Sequence, residues 1–122
     1  MGKLKRYTSE EVKHYIESGI WNNCLTVDYW QKNAMDVPNS EAVYDGQRRF
    51  TWLQASENID RLIVGLKKLG LKEGDVLLVQ AQNSSWLMIL RLACEKAGII
   101  LTFLHFGFRA REIEHVIKMT KP

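Results

Sequence analysis

The sequence predicts an α/β fold: a partial parallel sheet with flanking helices and a small β-hairpin. Two short runs, VLLVQ at 76–80 and IILTFL at 99–104, are almost wholly apolar, and Gly74 and Gly98 stand just before them. Parallel strands are covered on both faces and so lose the polar alternation of a half-exposed strand. Between the runs, WLMILRLACEKAG has the length and composition of a single helix, and strand, helix, strand in that order makes a right-handed parallel crossover. The β-branched Val76, Val79, Ile99, Ile100 and Thr102 favour strands over buried helical pieces.

The remaining elements follow from local signals. Thr8 with Glu11 forms a capping box that opens a helix over 9–18, closed by Gly19, with His14 on its solvated side. Thr26 is placed to cap a second helix, VDYWQKNAMD, which Pro38 stops. Trp21, Tyr29 and Trp30 are expected to seal this segment onto the main body, because large aromatic side chains dominate packing. Residues 41–50 predict a hairpin turning at Asp45-Gly46, with Arg48 and Arg49 in solvent. Thr51 and Gln54 repeat the capping box and open the longest helix, 52–69. Its face of Ile59, Leu62, Ile63, Leu66 and Leu69 is expected to lie on the sheet. Gly70 permits a left-handed cap, with Leu71 folding back. Asn83 or Ser84 caps the crossover helix. A last helix, 110–120, carries Ile113, Val116 and Ile117 on one face and should return to the sheet before a further strand. On that pattern the chain is expected to be the front of a longer protein, with an open sheet edge.

At 122 residues, 46% hydrophobic and 25% charged, the chain can bury a real core. The net charge of +3 is spread over Lys3, Lys5, Arg6, Arg48, Arg49, Lys67, Lys68, Arg109 and Arg111 rather than gathered on one element, which argues against nucleic acid as partner. No apolar run approaches the roughly eighteen residues of a membrane span. The first residues lack a signal-peptide core, and Arg6 stands where a myristoylation signal wants Ser or Thr. Cys24 and Cys94 form no CxxC and have no histidine at metal spacing, so Cys94 is expected as a small core residue and the protein as cytoplasmic.

Ligands of open parallel sheets bind outside the carboxyl ends of the strands. Two loops lie there, AQNSS and HFGF. His105, with Phe106 and Gly107, is the candidate substrate-binding group, as a polar contact in the wall of a small-acid pocket; the alternative is a histidine satisfied by backbone at a strand end. Asn83 reads more readily as a cap than as a ligand contact. The chain contains no GxxxxGK[ST], GxGxxG, GxSxG or HExxH motif and no paired carboxylates in a loop at the sheet's end, so no catalytic residue and no metal site is assigned.

The residues at the joints carry a resemblance. Tyr44-Asp45-Gly46 leading to Phe50-Thr51-Trp52, then Gly65-Leu66, Leu69-Gly70, Gly74-Asp75, Asn83-Ser84, Leu92-Ala93 and Lys96-Ala97-Gly98 together resemble the start of the acyl-adenylate-forming enzymes, the acid-CoA ligases and aryl-acid adenylating enzymes. HFGF departs from the pattern, where relatives usually carry a proline-containing stretch. The resemblance implies that residues 1–122 are the N-terminal portion of the large domain of such a ligase, 1–40 a helical lead-in and 41–122 a hairpin plus βαβ layer.

It also implies a parent that uses ATP, Mg2+ and coenzyme A to activate a small carboxylic acid. The family's phosphate loop, ribose-binding Asp, adenine-side acidic residues and mobile Lys would lie beyond Pro122, so this stretch alone is expected to be inactive and to bind none of these cofactors. Exposed sheet surface would favour self-association. The alternative function is a complete small α/β protein that captures a ligand or partner without catalysis.

Overall fold

The computed structural model describes residues 7–122; the basic Lys3, Lys5 and Arg6 lie outside them. Five helices and four strands follow in the order α1 (Ser9–Glu17), α2 (Thr26–Asp36), β1 (Glu41–Tyr44), β2 (Arg49–Thr51), α3 (Trp52–Lys68), β3 (Val76–Gln80), α4 (Ser85–Ala97), β4 (Ile100–Leu104) and α5 (Ala110–Thr120). β1 and β2 pair antiparallel as a hairpin, and β3 and β4 pair parallel in register from Val76 opposite Ile100 to Gln80 opposite Leu104.

The core gathers on α4, where Ile89, Leu92, Ala93 and Cys94 are fully buried. Val27 of α2, Ile59 and Leu66 of α3, and Ile99 join them, with Leu77 and Leu101 of the sheet packed alongside. Burying one Ile or Leu side chain stabilises by about 1.5–3 kcal/mol, so these contacts outweigh any single surface pair. Around this core α4 is tied to each neighbour. The backbone N–H of Thr26 donates to the Glu95 carboxylate at 2.6 Å, Lys96 pairs with Asp60 at 2.6 Å, and the Trp86 and Phe50 rings meet edge-on at 5.2 Å.

Both capping boxes form: the Thr8 and Thr51 hydroxyls accept from the N–H groups of Glu11 and Gln54, whose side chains return the bond. α3 ends in a Schellman motif, Leu71 N–H donating to the Leu66 carbonyl at 3.2 Å with Gly70 at φ +95°, and Leu71 packs on the core. Gly98 caps α4 at φ +71°; a Cβ there would also stand 2.7 Å from Glu73 Cγ.

Four expectations are corrected. Thr26 is the first residue of α2 and not its cap; Leu25 takes that place, and its N–H is satisfied by the Asp28 carboxylate. The α3 face packs chiefly on α4 and α2, and Leu69, at the C-terminal cap, is 79% exposed. Trp30 does seal α2 to the body through Trp52, but Trp21 joins Tyr7 and Tyr15 in a separate cluster beside α1, and Tyr29 is half exposed. Finally, α5 buries no residue: Ile113 and Val116 are only partly covered and Ile117 is exposed. β4 likewise leaves Ile100 and Phe103 about half open, so the far face of the sheet is not closed by the described residues.

Truncating Leu92 or Ile89 to Ala should therefore lower the unfolding free energy by about 2–5 kcal/mol, whereas Leu69→Ala should change it by under ~0.5 kcal/mol in urea titrations. Equal losses at Leu69 and Leu92 would contradict this core.

Candidate functional site

The strands β3 and β4 end side by side, and their carboxyl ends open into a cleft of about 400 Å³. Its lining comes from three places: Asn83 and Ser84 after β3, Leu87, Met88 and Arg91 of α4, and Phe103, His105 and Phe106 at and after the end of β4. A hollow of about 470 Å³ also runs along α1, lined by residues from Tyr7 to Glu17, with no strand end or loop of the sheet contributing. The strand-end cleft is the better candidate because two loops and a helix converge there.

Each wall is held from behind. Ser84 caps α4, its hydroxyl accepting from Leu87 N–H at 3.3 Å, which settles the choice between Ser84 and Asn83. Asn83 is left lining the cleft. The helix N-terminus is anchored across the fold by Asp45, whose carboxylate accepts from the Ser85 N–H at 2.9 Å and hydroxyl at 2.7 Å. The same carboxylate accepts from Gln47 and Arg48 N–H groups within its own turn, where Gly46 takes φ +89°. Ser85 is 1% exposed, so Asp45 supplies the partner that this buried hydroxyl needs. The Ser85 N–H foremost, then the Arg48 N–H, the Ser85 hydroxyl and the Gln47 N–H, holds the Asp45 carboxyl far below the ordinary carboxylate range.

The opposite wall is held by Gln80. Its side-chain amide donates toward the carbonyl oxygens of His105 (3.2 Å), Phe106 (3.2 Å) and Phe108 (2.8 Å), tying the end of β3 to the loop after β4. Within that loop Gly107 N–H donates to His105 Nδ1 at 3.1 Å, and the His105 ring lies 4.5 Å from that of Phe106. A Cβ on Gly107 would come within 3.1 Å of the same Nδ1. The structure thus brings His105 and Phe106 into the cleft wall, with Gly107 supporting the ring from behind. His105 is satisfied by backbone on one nitrogen and lines the cleft at once, so the two sequence readings of it are compatible.

Sequence reasoning missed Gln80, Arg91 and the reach of Asp45. Gln80 had a signal, being the one polar residue closing an apolar strand. Asp45 was legible as a turn former, while its bond to Ser85, 40 residues away, had no local trace.

Cys24 and Cys94 are free thiols, and burial pushes the Cys94 thiol up, keeping it protonated and inert. No helix among the described residues is long and apolar enough to cross a membrane. No cluster of three or more His, Cys, Asp or Glu side chains that could hold a metal occurs among them either.

Comparison with known proteins decides the family. The sequence profile of the AMP-binding enzymes, described as "AMP-binding enzyme", matches residues 30–122. The chain belongs to the AMP-binding enzyme family. Among relatives of this family, it is 36% identical over 114 residues to the medium-chain acyl-CoA ligase ACSF2, mitochondrial, of Bos taurus, covering 92% of this chain and 18% of the relative. It is 27% identical over 117 residues to enterobactin synthase component E of Escherichia coli (strain K12), covering 96% of this chain and 22% of that protein. The apo structure of Mycobacterium smegmatis MbtA superposes with a TM-score of 0.85 at 24% identity, over 97% of this chain and 22% of that one, which shows a shared fold. The chain thus spans about a fifth of the length of these AMP-binding relatives.

The Asp45 anchor has a pH signature. Its pKa is lowered on folding from an ordinary value of 3.8, so the stabilisation is complete above that value and is lost as pH falls below it toward the folded-state value. Thermal unfolding between about pH 5 and about pH 2 should show a steeper acid loss for the native chain than for Asp45→Asn, which should be less stable at neutral pH. Parallel pH profiles would contradict the anchor.

Proposed function

We propose that this chain forms the N-terminal portion of the large domain of an adenylate-forming ligase that activates a carboxylic acid with ATP and passes the acyl group to a thiol such as coenzyme A. The observation that carries the reading is the family match over residues 30–122, in a chain whose parallel strands end in an open cleft. In the first step a carboxylate oxygen attacks the α-phosphorus of ATP; the new O–P bond forms as the bond to pyrophosphate breaks. In the second a thiolate attacks the acyl carbon and AMP leaves with the bonding pair. Spreading phosphate charge requires clamped donors and a metal, and the chain supplies neither a phosphate loop nor a metal cluster among its described residues. Its own share is structural, with His105, Phe106 and Gly107 as one wall of the acid pocket. The two unpaired thiols support a reducing, cytoplasmic setting.

Acid-dependent ATP–pyrophosphate exchange tests this reading, with aryl and medium-chain acids as substrates. The expected outcome is exchange by the whole enzyme that contains this chain and none by residues 1–122 alone. Exchange by the isolated chain would relocate the active site onto it, and absence of exchange by the whole enzyme with any acid would end the ligase reading.

The half-open Ile100 and Phe103 of β4, with Ile117 and Met119 of α5, support self-association of the isolated chain. Sedimentation velocity should show a concentration-dependent oligomer; a clean monomer would contradict that.

A further inference from the structure

We propose that Gln80 is a positioning residue: by holding residues 105–108 against the end of β3 it sets how tightly the cleft grips its substrate, without touching the substrate or entering the chemistry. The kinetic part rests on the preceding reading of His105 and Phe106 as a pocket wall; the mechanical part, that Gln80 fixes this loop, does not.

The loop has little else to fix it. Leu104, 6% exposed, anchors its start, but every residue from 105 to 108 is exposed, so apolar burial contributes little there. Helix α5, which follows, buries no residue and gives no firm anchor at the other end. The stretch His-Phe-Gly-Phe has no proline to fix its backbone and one glycine to loosen it. Its internal bonds, Phe108 N–H to the His105 carbonyl at 2.9 Å and Gly107 N–H to His105 Nδ1 at 3.1 Å, shape the turn without placing it relative to the sheet. Among the described residues, the side-chain hydrogen bonds that join 105–108 to another element all come from Gln80.

The strand register puts this side chain in reach. Gln80 pairs with Leu104, the residue before the loop, so its amide has only to span to the carbonyls just ahead. Alternation along β3 sends Gln80 to the sheet face opposite Leu77, which packs on the core, and Gln80 is not among the residues lining the cleft. It therefore acts on the wall from behind. All three of its partners are carbonyl oxygens, so what the loop requires at position 80 is donors, and shape alone does not serve. Each such bond contributes modestly in solvent. Without them, however, His105 and Phe106 would have to be ordered as the ligand arrives, and that ordering weakens binding.

The test combines hydrogen exchange read by mass spectrometry with acid-dependent ATP–pyrophosphate exchange, on the whole enzyme that contains this chain. Gln80→Leu removes the donors, Gln80→Glu keeps the shape and offers acceptors, and Gln80→Lys restores donors. Peptides covering Gly107 and Phe108 should exchange roughly tenfold faster in Gln80→Leu and Gln80→Glu and near the native rate in Gln80→Lys. Peptides of α4 should not change, since Gln80 is exposed and its replacement leaves the core intact. Gln80→Leu should also raise the KM for the acid roughly tenfold, with kcat and the KM for ATP unchanged. Gln80→Lys is read by hydrogen exchange alone, because its charge would itself attract an acid. A loop as well protected in Gln80→Leu as in the native enzyme, or native behaviour of Gln80→Glu, would overturn the proposal. So would a fall in kcat with both KM values unchanged, which is what loss of folded enzyme gives. Pyrophosphate exchange with an unchanged acid KM in Gln80→Leu would overturn it and leave the ligase reading. No exchange by the native enzyme with any acid would end the ligase reading; faster loop exchange in Gln80→Leu would then still support the hold of Gln80 on the loop, and unchanged loop exchange would still overturn it.

Discussion

Burial of helix α4 is the constraint on which the other elements depend. Ile89, Leu92, Ala93 and Cys94 lose all contact with solvent, and each surrounding element supplies part of the cover: α2 through Val27, α3 through Ile59 and Leu66, the sheet through Leu77 and Leu101. Two short strands and a short hairpin have little stability alone, since isolated two-stranded pairings are marginal in water. They persist here because the same apolar face that needs covering holds them in register. Polar ties at the ends of α4, from Glu95, Lys96 and Ser85, then fix how the covering elements are oriented.

The cleft inherits its geometry from that packing. Its α4 side stands where it does because Asp45 gathers four donors, two from its own turn and two from Ser85, and so couples the hairpin to the start of the helix. Its loop side stands where it does because Gln80 reaches from the end of one strand to the loop that follows the next. Neither tie depends on a ligand. A pocket wall built by a strand end, a helix start and a loop held from behind keeps its form when empty, which is what discrimination between small molecules requires.

Much of this was legible in the sequence because the signals were local. Capping boxes at Thr8 and Thr51, the Gly70 and Gly98 caps, the Asp45-Gly46 turn and the two apolar runs each occupy a few consecutive residues, and each formed. What escaped were choices made by tertiary structure. Leu69 continues the apolar spacing of α3 yet lies past the reach of α4, so periodicity placed it in a core that stops a turn earlier. Trp21, expected against the main body, packs instead on Tyr7 and on Tyr15 of α1, six residues back along the chain. In α5 the stripe of Ile113, Val116 and Ile117 was correctly seen, but no described element covers it. At the site, His105 and Phe106 could be found from position after a strand, whereas Arg91 reads in sequence as one more solvated helix residue. Only the crossover geometry turns it toward the same opening.

Native-state hydrogen exchange tests the central role of α4 most directly. The amides of Ile89, Leu92 and Cys94 should exchange only through global unfolding, and those of α5 by local opening at far lower cost. Exchange in α5 as slow as in α4, or opening of α4 before the hairpin and α5 release, would contradict a fold organised on that helix.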